Sequence, residues 1–260
     1  MTIFNPQRPL QIQLAELKDA IRAEPAKLEL RVYYFQMLLV LGEWQKSLEQ
    51  LQLCAQLDSK VTPMAKAYRE AIRCEVFREE VFTGRKSPNI LGEPAPWMGW
   101  LVDACKRQSL GESEAAAELR SQALDAATCG VGEINGEAFD WLADSDSRLG
   151  PVCELLVNGS YYWVPFTSVR QINFEKPKDV RDFVWAACEI TLINGGSMVG
   201  FIPTRYPATH ASSSDALRLA RSTEWVDLGH EQVSGLGQRM WLTDSSEYAL
   251  LDVRRLTFNA

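Results

Sequence analysis

The stretch Phe139–Pro151, FDWLADSDSRLGP, decides the fold, because it stands between two regions of different hydrophobic period. Its run Asp144-Ser145-Asp146-Ser147 is made of residues whose short polar side chains bond to nearby backbone, so they favour turns and caps over element interiors. A calcium loop would need glycine at its sixth position and a bidentate glutamate at its twelfth. Counted from Asp144, those positions hold Leu149 and Leu155. A carboxylate pair for catalysis would need a base, nucleophile or metal constellation elsewhere in the chain. A structural turn is therefore the expectation.

Upstream, residues 10–128 read as helical. In LQIQLAELKDAI the apolar positions Leu10, Leu14, Leu17 and Ile21 recur at spacings of four, three and four, one face of a helix that Pro25 stops. The segment KLELRVYYFQMLLVLGEWQKSLEQLQLCAQLDSKVTP divides at Leu41-Gly42, where glycine can adopt the left-handed conformation that closes a helix. PMAKAYREAIRCEVFREEVF continues as a long helix, and TGRKSPNILGEPAPWMGWL is a proline- and glycine-rich loop. Leu41-Gly42-Glu43 recurs 69 residues later as Leu110-Gly111-Glu112, with small Ala116 answering Ser47. That offset is about twice the ~34-residue period of tetratricopeptide-like helix hairpins, so two degenerate units are expected.

Downstream the period changes, with the boundary expected near residues 129–138. CELLVNGSYYWVPF splits at Asn158-Gly159, a pair suited to a type I′ turn in which both residues take positive φ. Further hairpins are expected to break at Asn194-Gly195-Gly196 and at Asp244-Ser245-Ser246, and residues 210–225 read as a helix or loop insertion. The fold class expected is α+β: a helical, tetratricopeptide-like domain over 1–130 and a mainly antiparallel β-rich domain over 131–260.

A formal charge of −7 and a sequence pI near 5.1 give no general attraction to nucleic acid or an anionic membrane. The N-terminus lacks a basic segment followed by an apolar run, which points to a cytoplasmic protein. Cys54, Cys74, Cys105, Cys129, Cys153 and Cys188 are spread singly and are expected as reduced, mostly buried thiols. His210 and His230 lie in polar stretches, and Ser212–Ser214 beside His210 lack the strained turn of a nucleophile. GLGQRM has Met240 where a dinucleotide fingerprint needs its third glycine, and the segment after it reads as strand. Two histidines and isolated cysteines do not make zinc-ligand spacing. No residue is assigned a catalytic, cofactor-binding or metal-binding role. Most of the tryptophans, Trp97, Trp100, Trp141, Trp163, Trp185, Trp225 and Trp241, are expected inside.

The ordered set FDWLADSDSRLGPVCELLVNGSYYWVPF, RDFVWA, IPTRYP, LARSTEW, GLGQRM and LLDVRRLTF resembles the ImpE family, also called SciE or TagJ. LGEWQKSLEQLQL and REAIRCEVFREEVFTGRKSPNILGEPAPWMGWL extend the resemblance over nearly the whole chain. The family comprises accessory proteins of bacterial type VI secretion with a helical N-terminal part and an α/β C-terminal part. The resemblance implies a non-enzymatic protein that binds a helix of the small sheath subunit TssB, with a link to the ATPase ClpV. The one departure noted is Ala208, where the family commonly has glycine after TRYP.

Asp144, Asp146, Arg148, Arg205, Glu224, Gln238, Arg239 and Asp252 form the candidate structural or partner cluster. They could line a ligand cleft, as an enzyme or small-ligand protein would require, or pair beneath a domain boundary, since desolvated arginines and carboxylates must find partners. The absence of an accompanying nucleophile, base or metal constellation favours the second arrangement.

Overall fold

Helical spacing of apolar residues and alternation of buried positions build two halves of different character around a shared core. The computed structural model describes residues 4–128 and 130–259. Helices α1 (Leu10–Ala23), α2 (Leu28–Val40), α3 (Trp44–Leu57), α4 (Thr62–Phe82), α5 (Pro96–Ser109) and α6 (Ser113–Ala126) occupy the first half. Leu10, Leu14, Leu17 and Ile21 are all buried, as their spacing requires.

The two Leu-Gly-Glu turns have one geometry. Gly42 has φ +70° and Gly111 φ +79°. Glu43 N donates to Leu38 O and Gly42 N to Leu39 O; Glu112 N donates to Arg107 O and Gly111 N to Gln108 O. Both are Schellman closures in which glycine takes the left-handed residue without a Cβ penalty. Ser47 and Ala116 then sit fully buried one turn into the following helices, where a larger side chain would hold the hairpins apart.

The β-rich half contains β2 (Gly132–Ile134), β3 (Glu137–Phe139), β4 (Leu142–Asp144), β5 (Val152–Val157), β6 (Ser160–Pro165), β7 (Val169–Phe174), β8 (Trp185–Leu192) and β9 (Ser197–Pro203). After the short helix α7 (Asp215–Arg218) come β10 (Thr223–Gly229), β11 (Gln232–Gly237), β12 (Met240–Thr243), β13 (Glu247–Ala249) and β14 (Arg255–Phe258). The expected hairpin turns are present: Asn158 and Gly159 have φ +50° and +73° between β5 and β6, and Asn194–Gly196 joins β8 to β9. Of residues 210–225, read as a helix or loop insertion, 210–222 form 3-10 and α turns, while 223–225 already belong to β10.

One part of the helical region differs from its sequence reading. Within the loop before α5, Asn89–Ile90 forms strand β1, which pairs parallel to β6 and begins a nine-stranded sheet ordered β1-β6-β5-β9-β8-β7-β14-β2-β3. Two residues carry no readable period, so only the neighbouring strand identifies them. Every other ladder is antiparallel, including the three-stranded β13-β12-β4 and the two-stranded β10-β11 sheets.

The large sheet is buried on both faces. Leu156, Tyr161, Trp163 and Trp185 pack with the helices, while Cys153, Leu155, Val157 and Ile202 pack with Trp241 and Leu142 of the smaller sheet. Burial on both faces is why VCELLV is nearly a continuous apolar run. Cys54, Cys74, Cys105, Cys153 and Cys188 are buried free thiols; Cys129 lies outside the described residues. Trp97, Trp163, Trp185 and Trp241 are buried, whereas Trp100 and Trp225 are exposed.

Candidate functional site

Glu154 is the one charged residue of β5, and the alternation of the strand turns it toward the helices. Arg78 of α4 meets it with Nε donating to Oε1 at 2.6 Å and Nη2 to Oε2 at 3.0 Å. The same guanidinium donates through Nη1 to Glu75 Oε1 at 2.7 Å and through Nη2 to the Arg205 carbonyl at 2.9 Å. Tyr161 donates its hydroxyl to Glu154, and Trp163 Nε1 donates to the Tyr161 oxygen at 2.7 Å. Trp185 Nε1 donates to Glu75 Oε2 at 2.9 Å.

Arg239 continues the network. Its Nη1 pairs with Asp144, its Nη2 with Glu154, and its Nε donates to Pro203 O at 2.9 Å. Asp144 also accepts the Asp146 N–H at 2.9 Å and the Tyr206 hydroxyl at 3.1 Å. Asp146 holds Arg148, accepting from Nε at 2.9 Å and from Nη2 at 2.6 Å, and its Oδ2 takes the Gly235 N–H at 3.0 Å. The Arg148 guanidinium lies 4.8 Å from the ring centroid of Phe82 in α4. The D-S-D-S run is thus a turn whose carboxylates are saturated by hydrogen bonds.

Charge and burial decide the protonation states. Burial pushes the Asp144 carboxyl up to about 6 in spite of Arg239. Burial acts on Glu154 as well, but Arg78 and Arg239 outweigh it and hold that carboxyl at about 2. Arg205, which forms no salt bridge among the described residues, is drawn down to about 10 by burial, with nearby Glu75 opposing the shift. Its Nη1 donates to Val40 O at 2.8 Å and to Arg218 O at 2.6 Å, so a cation closes the C-terminus of α2, where the helix dipole favours positive charge.

The structure therefore joins Asp144, Asp146, Arg148, Arg205 and Arg239, but not the whole candidate set. Glu224 and Asp252 are exposed, and half-buried Gln238 uses its Oε1 to accept the Leu251 N–H at 3.0 Å. Glu224 lies in a motif like those of the others, but the solvent-facing strand β10 carries it outward. Glu75, Arg78, Glu154, Tyr161 and Tyr206 are members that sequence reasoning missed. A lone acid inside the apolar run VCELLV was the readable signal for Glu154, because such a residue must find a cation.

Beside this network the helices leave an open surface. Trp44 and Leu48 on α3 face Ile72 and Val76 on α4 across a trough with a volume of about 580 Å³, with Glu43, Gln45 and Arg73 at its margins. Each pair is spaced by four residues, so each lies along one helix face. Trp44 is fixed by donating Nε1 to Glu79 Oε1 at 3.2 Å and by an edge contact with His210, ring centroids 5.5 Å apart. A smaller pocket of about 240 Å³, beside Tyr68, Arg181 and Arg254, is lined by parts of the RDFVWA and LLDVRRLTF motifs but contains none of the candidate cluster.

Comparison with known proteins places this architecture. Residues 136–257 match the ImpE protein family. The type VI secretion system accessory component TagJ of Pseudomonas aeruginosa is 45% identical over 245 residues, covering 94% of this chain and 86% of that protein. The crystal structure of protein VPA1032 from Vibrio parahaemolyticus is similar with a TM-score of 0.87 and 26% identity, covering 96% of this chain and 94% of that one. With that identity sustained across both the helical and the β-rich regions, the chain belongs to the ImpE family.

Proposed function

We propose that this protein is a cytoplasmic, non-enzymatic accessory component of a bacterial type VI secretion system, an adaptor that binds a helix of the small sheath subunit TssB. The observation that carries the reading is the trough between α3 and α4, where Trp44, Leu48, Ile72 and Val76 form two apolar rows. An amphipathic helix presents anchors at i, i+3, i+4 and i+7, the spacing such rows accept. Residues 1–130 supply the trough and residues 131–260 brace it, through Arg205 at the end of α2 and His210 against Trp44. A link from the bound sheath subunit to ClpV is the second part of the assignment. Among the described residues, no helix is long and apolar enough to cross a membrane.

Isothermal titration of the full-length protein with an N-terminal TssB peptide tests the first part, with saturable heat expected on the order of tens of micromolar. Val76→Glu, at an exposed position, is expected to weaken that binding at least about tenfold with an unchanged melting temperature. No heat, or heat indifferent to Val76→Glu, rejects the trough. Recovery of ClpV on immobilised TssB only when this protein is added would support the link.

The competing reading, an enzyme or small-ligand protein using the polar cluster, requires those groups to face a substrate. Asp144, Asp146, Glu154 and Arg239 are at most 4% exposed and bonded to one another or to backbone, which favours the adaptor.

A further inference from the structure

Strand β10 is the outer member of its two-stranded sheet, and its partner β11 is engaged on the far side by other parts of the chain. Val233 N donates to Ser147 Oγ at 3.0 Å, and Val233 O accepts Ser147 N at 2.9 Å. Gly235 N donates to Asp146 Oδ2 at 3.0 Å. Gly237 N donates to Thr209 Oγ1 at 2.9 Å, and its carbonyl accepts Tyr206 N at 2.9 Å.

In an antiparallel ladder, residues directly opposite either exchange both backbone bonds or turn both outward. The register sets Val233, Gly235 and Gly237 against Asp227, Trp225 and Thr223. Because the first three point away from β10, the last three point their N–H and C=O groups along the free edge. Among the described residues, none of those groups has a hydrogen-bond partner.

Among the described residues, the edge is guarded by acidic side chains alone. Natural edge strands are commonly blunted by lysine, proline or a bulge. TEWVDLG has neither lysine nor proline, and its one irregularity comes at the far end, between Asp227 and Gly229. Trp225 is 43% and Val226 44% exposed, and Glu224 and Asp227 on either side are exposed as well.

We propose that the free edge of β10 is a second docking surface, one that takes an extended peptide segment in which two apolar residues are flanked by basic ones. Glu224-Trp225-Val226-Asp227 reads acid, apolar, apolar, acid. Its complement, basic, apolar, apolar, basic, is the same in either strand direction. Backbone bonds at Thr223, Trp225 and Asp227 supply affinity, and the charge pattern supplies selection. A second copy of the chain is a poor occupant. Antiparallel pairing in which both edges exchange backbone bonds must oppose outward-pointing residues. Centred on Trp225, it sets Glu224 of one copy against Val226 of the other and Thr223 against Asp227, so both acids of each copy are brought to the seam without a basic partner. The surface is separate from the α3–α4 trough and needs a strand where the trough needs a helix.

The test uses the full-length protein with the capped hexapeptide threonyl-lysyl-valyl-isoleucyl-lysyl-threonine and a version with glutamate in place of both lysines. Amide hydrogen exchange is read residue by residue. The lysine peptide is expected to slow exchange at Thr223, Trp225 and Asp227, while Glu224 and Val226, whose amides face β11, stay slow with or without peptide. The glutamate peptide is expected to bind about tenfold more weakly. Combining Glu224→Lys with Asp227→Lys is expected to invert the preference, an outcome that loss of folding does not produce. Absence of protection with either peptide, or equal binding of both, overturns the proposal. Slow exchange at those three amides in the protein alone, together with a concentration-dependent dimer, also overturns it, in favour of self-pairing.

Discussion

Arg78 and Glu154 stand 76 residues apart in sequence and meet through two hydrogen bonds, Nε to Oε1 at 2.6 Å and Nη2 to Oε2 at 3.0 Å. The pair joins the long helix α4 to the inner strand β5 with almost no access to water. Removing one partner of a buried ion pair leaves the other charge stranded, at a cost of about 3–5 kcal/mol. Glu154→Gln is therefore expected to destabilise the protein by that amount in urea unfolding. Replacing both partners together, Arg78→Met with Glu154→Leu, should cost less than the sum of the single changes. Strict additivity would show that the two groups are not coupled.

Asp144 and Glu154 share Arg239 but titrate in opposite senses. With Asp144 raised from 3.8 to about 6, the folded state holds a proton that the unfolded chain has already lost. That group adds stability as pH falls from 6 towards 4, and the contribution is absent above 6. With Glu154 lowered from 4.5 to about 2, its contribution is present above 4.5 and is lost as pH falls towards 2. Urea midpoints measured across pH should show Asp144→Asn removing a gain between 6 and 4, and Glu154→Gln removing a loss below 4.5. Parallel curves for the two variants would refute the assignment.

The helices and hairpins were legible because period is a local property. Leu10, Leu14, Leu17 and Ile21 declare a helix, and Asn158-Gly159 declares a turn, whatever the rest of the chain does. The polar network was legible only in part. Arg239 reaches Asp144 and Glu154 across 95 and 85 residues, and nothing in the neighbouring sequence of Glu154 names its partners. Glu224 and Asp252 sit in polar motifs like those of the network, yet strand and turn geometry turns them to solvent. The open edge of β10 was equally invisible, because it depends on which groups of β11 the turn at Asp146 and Ser147 has already engaged.

Ala208 has φ +63°, a left-handed conformation that costs a residue with a Cβ about 1–2 kcal/mol. The resemblance to the ImpE family implies glycine at this position, and the left-handed backbone is where glycine is favoured. Ala208→Gly relieves the strain but adds freedom to the unfolded chain, so the expected net gain is about 0.5–1 kcal/mol. Calorimetry should place the melting temperature about 1–4 °C higher. A lower melting temperature would mean that the Ala208 methyl makes a contact worth more than the strain.

Gly42 and Gly111 close their helices with the same hydrogen bonds, so any difference between them comes from what each turn faces. A Cβ built on Gly42 would stand 2.4 Å from Cδ2 and 2.6 Å from Cγ of His210, whereas a Cβ on Gly111 meets nothing within 4 Å. Gly111→Ala should therefore cost only the left-handed penalty, about 1–2 kcal/mol. Gly42→Ala should add about 1–3 kcal/mol of overpacking, because His210 is held between Trp44 and Glu79 and its carbonyl accepts from Arg218. The displaced imidazole should also loosen Trp44, so Gly42→Ala is expected to weaken helix binding in the α3–α4 trough while Gly111→Ala leaves it intact. Urea unfolding of both variants, followed by titration with the same TssB peptide, checks the two effects separately. Equal losses of stability would show that the turn at Gly42 is not locked by the β-rich half.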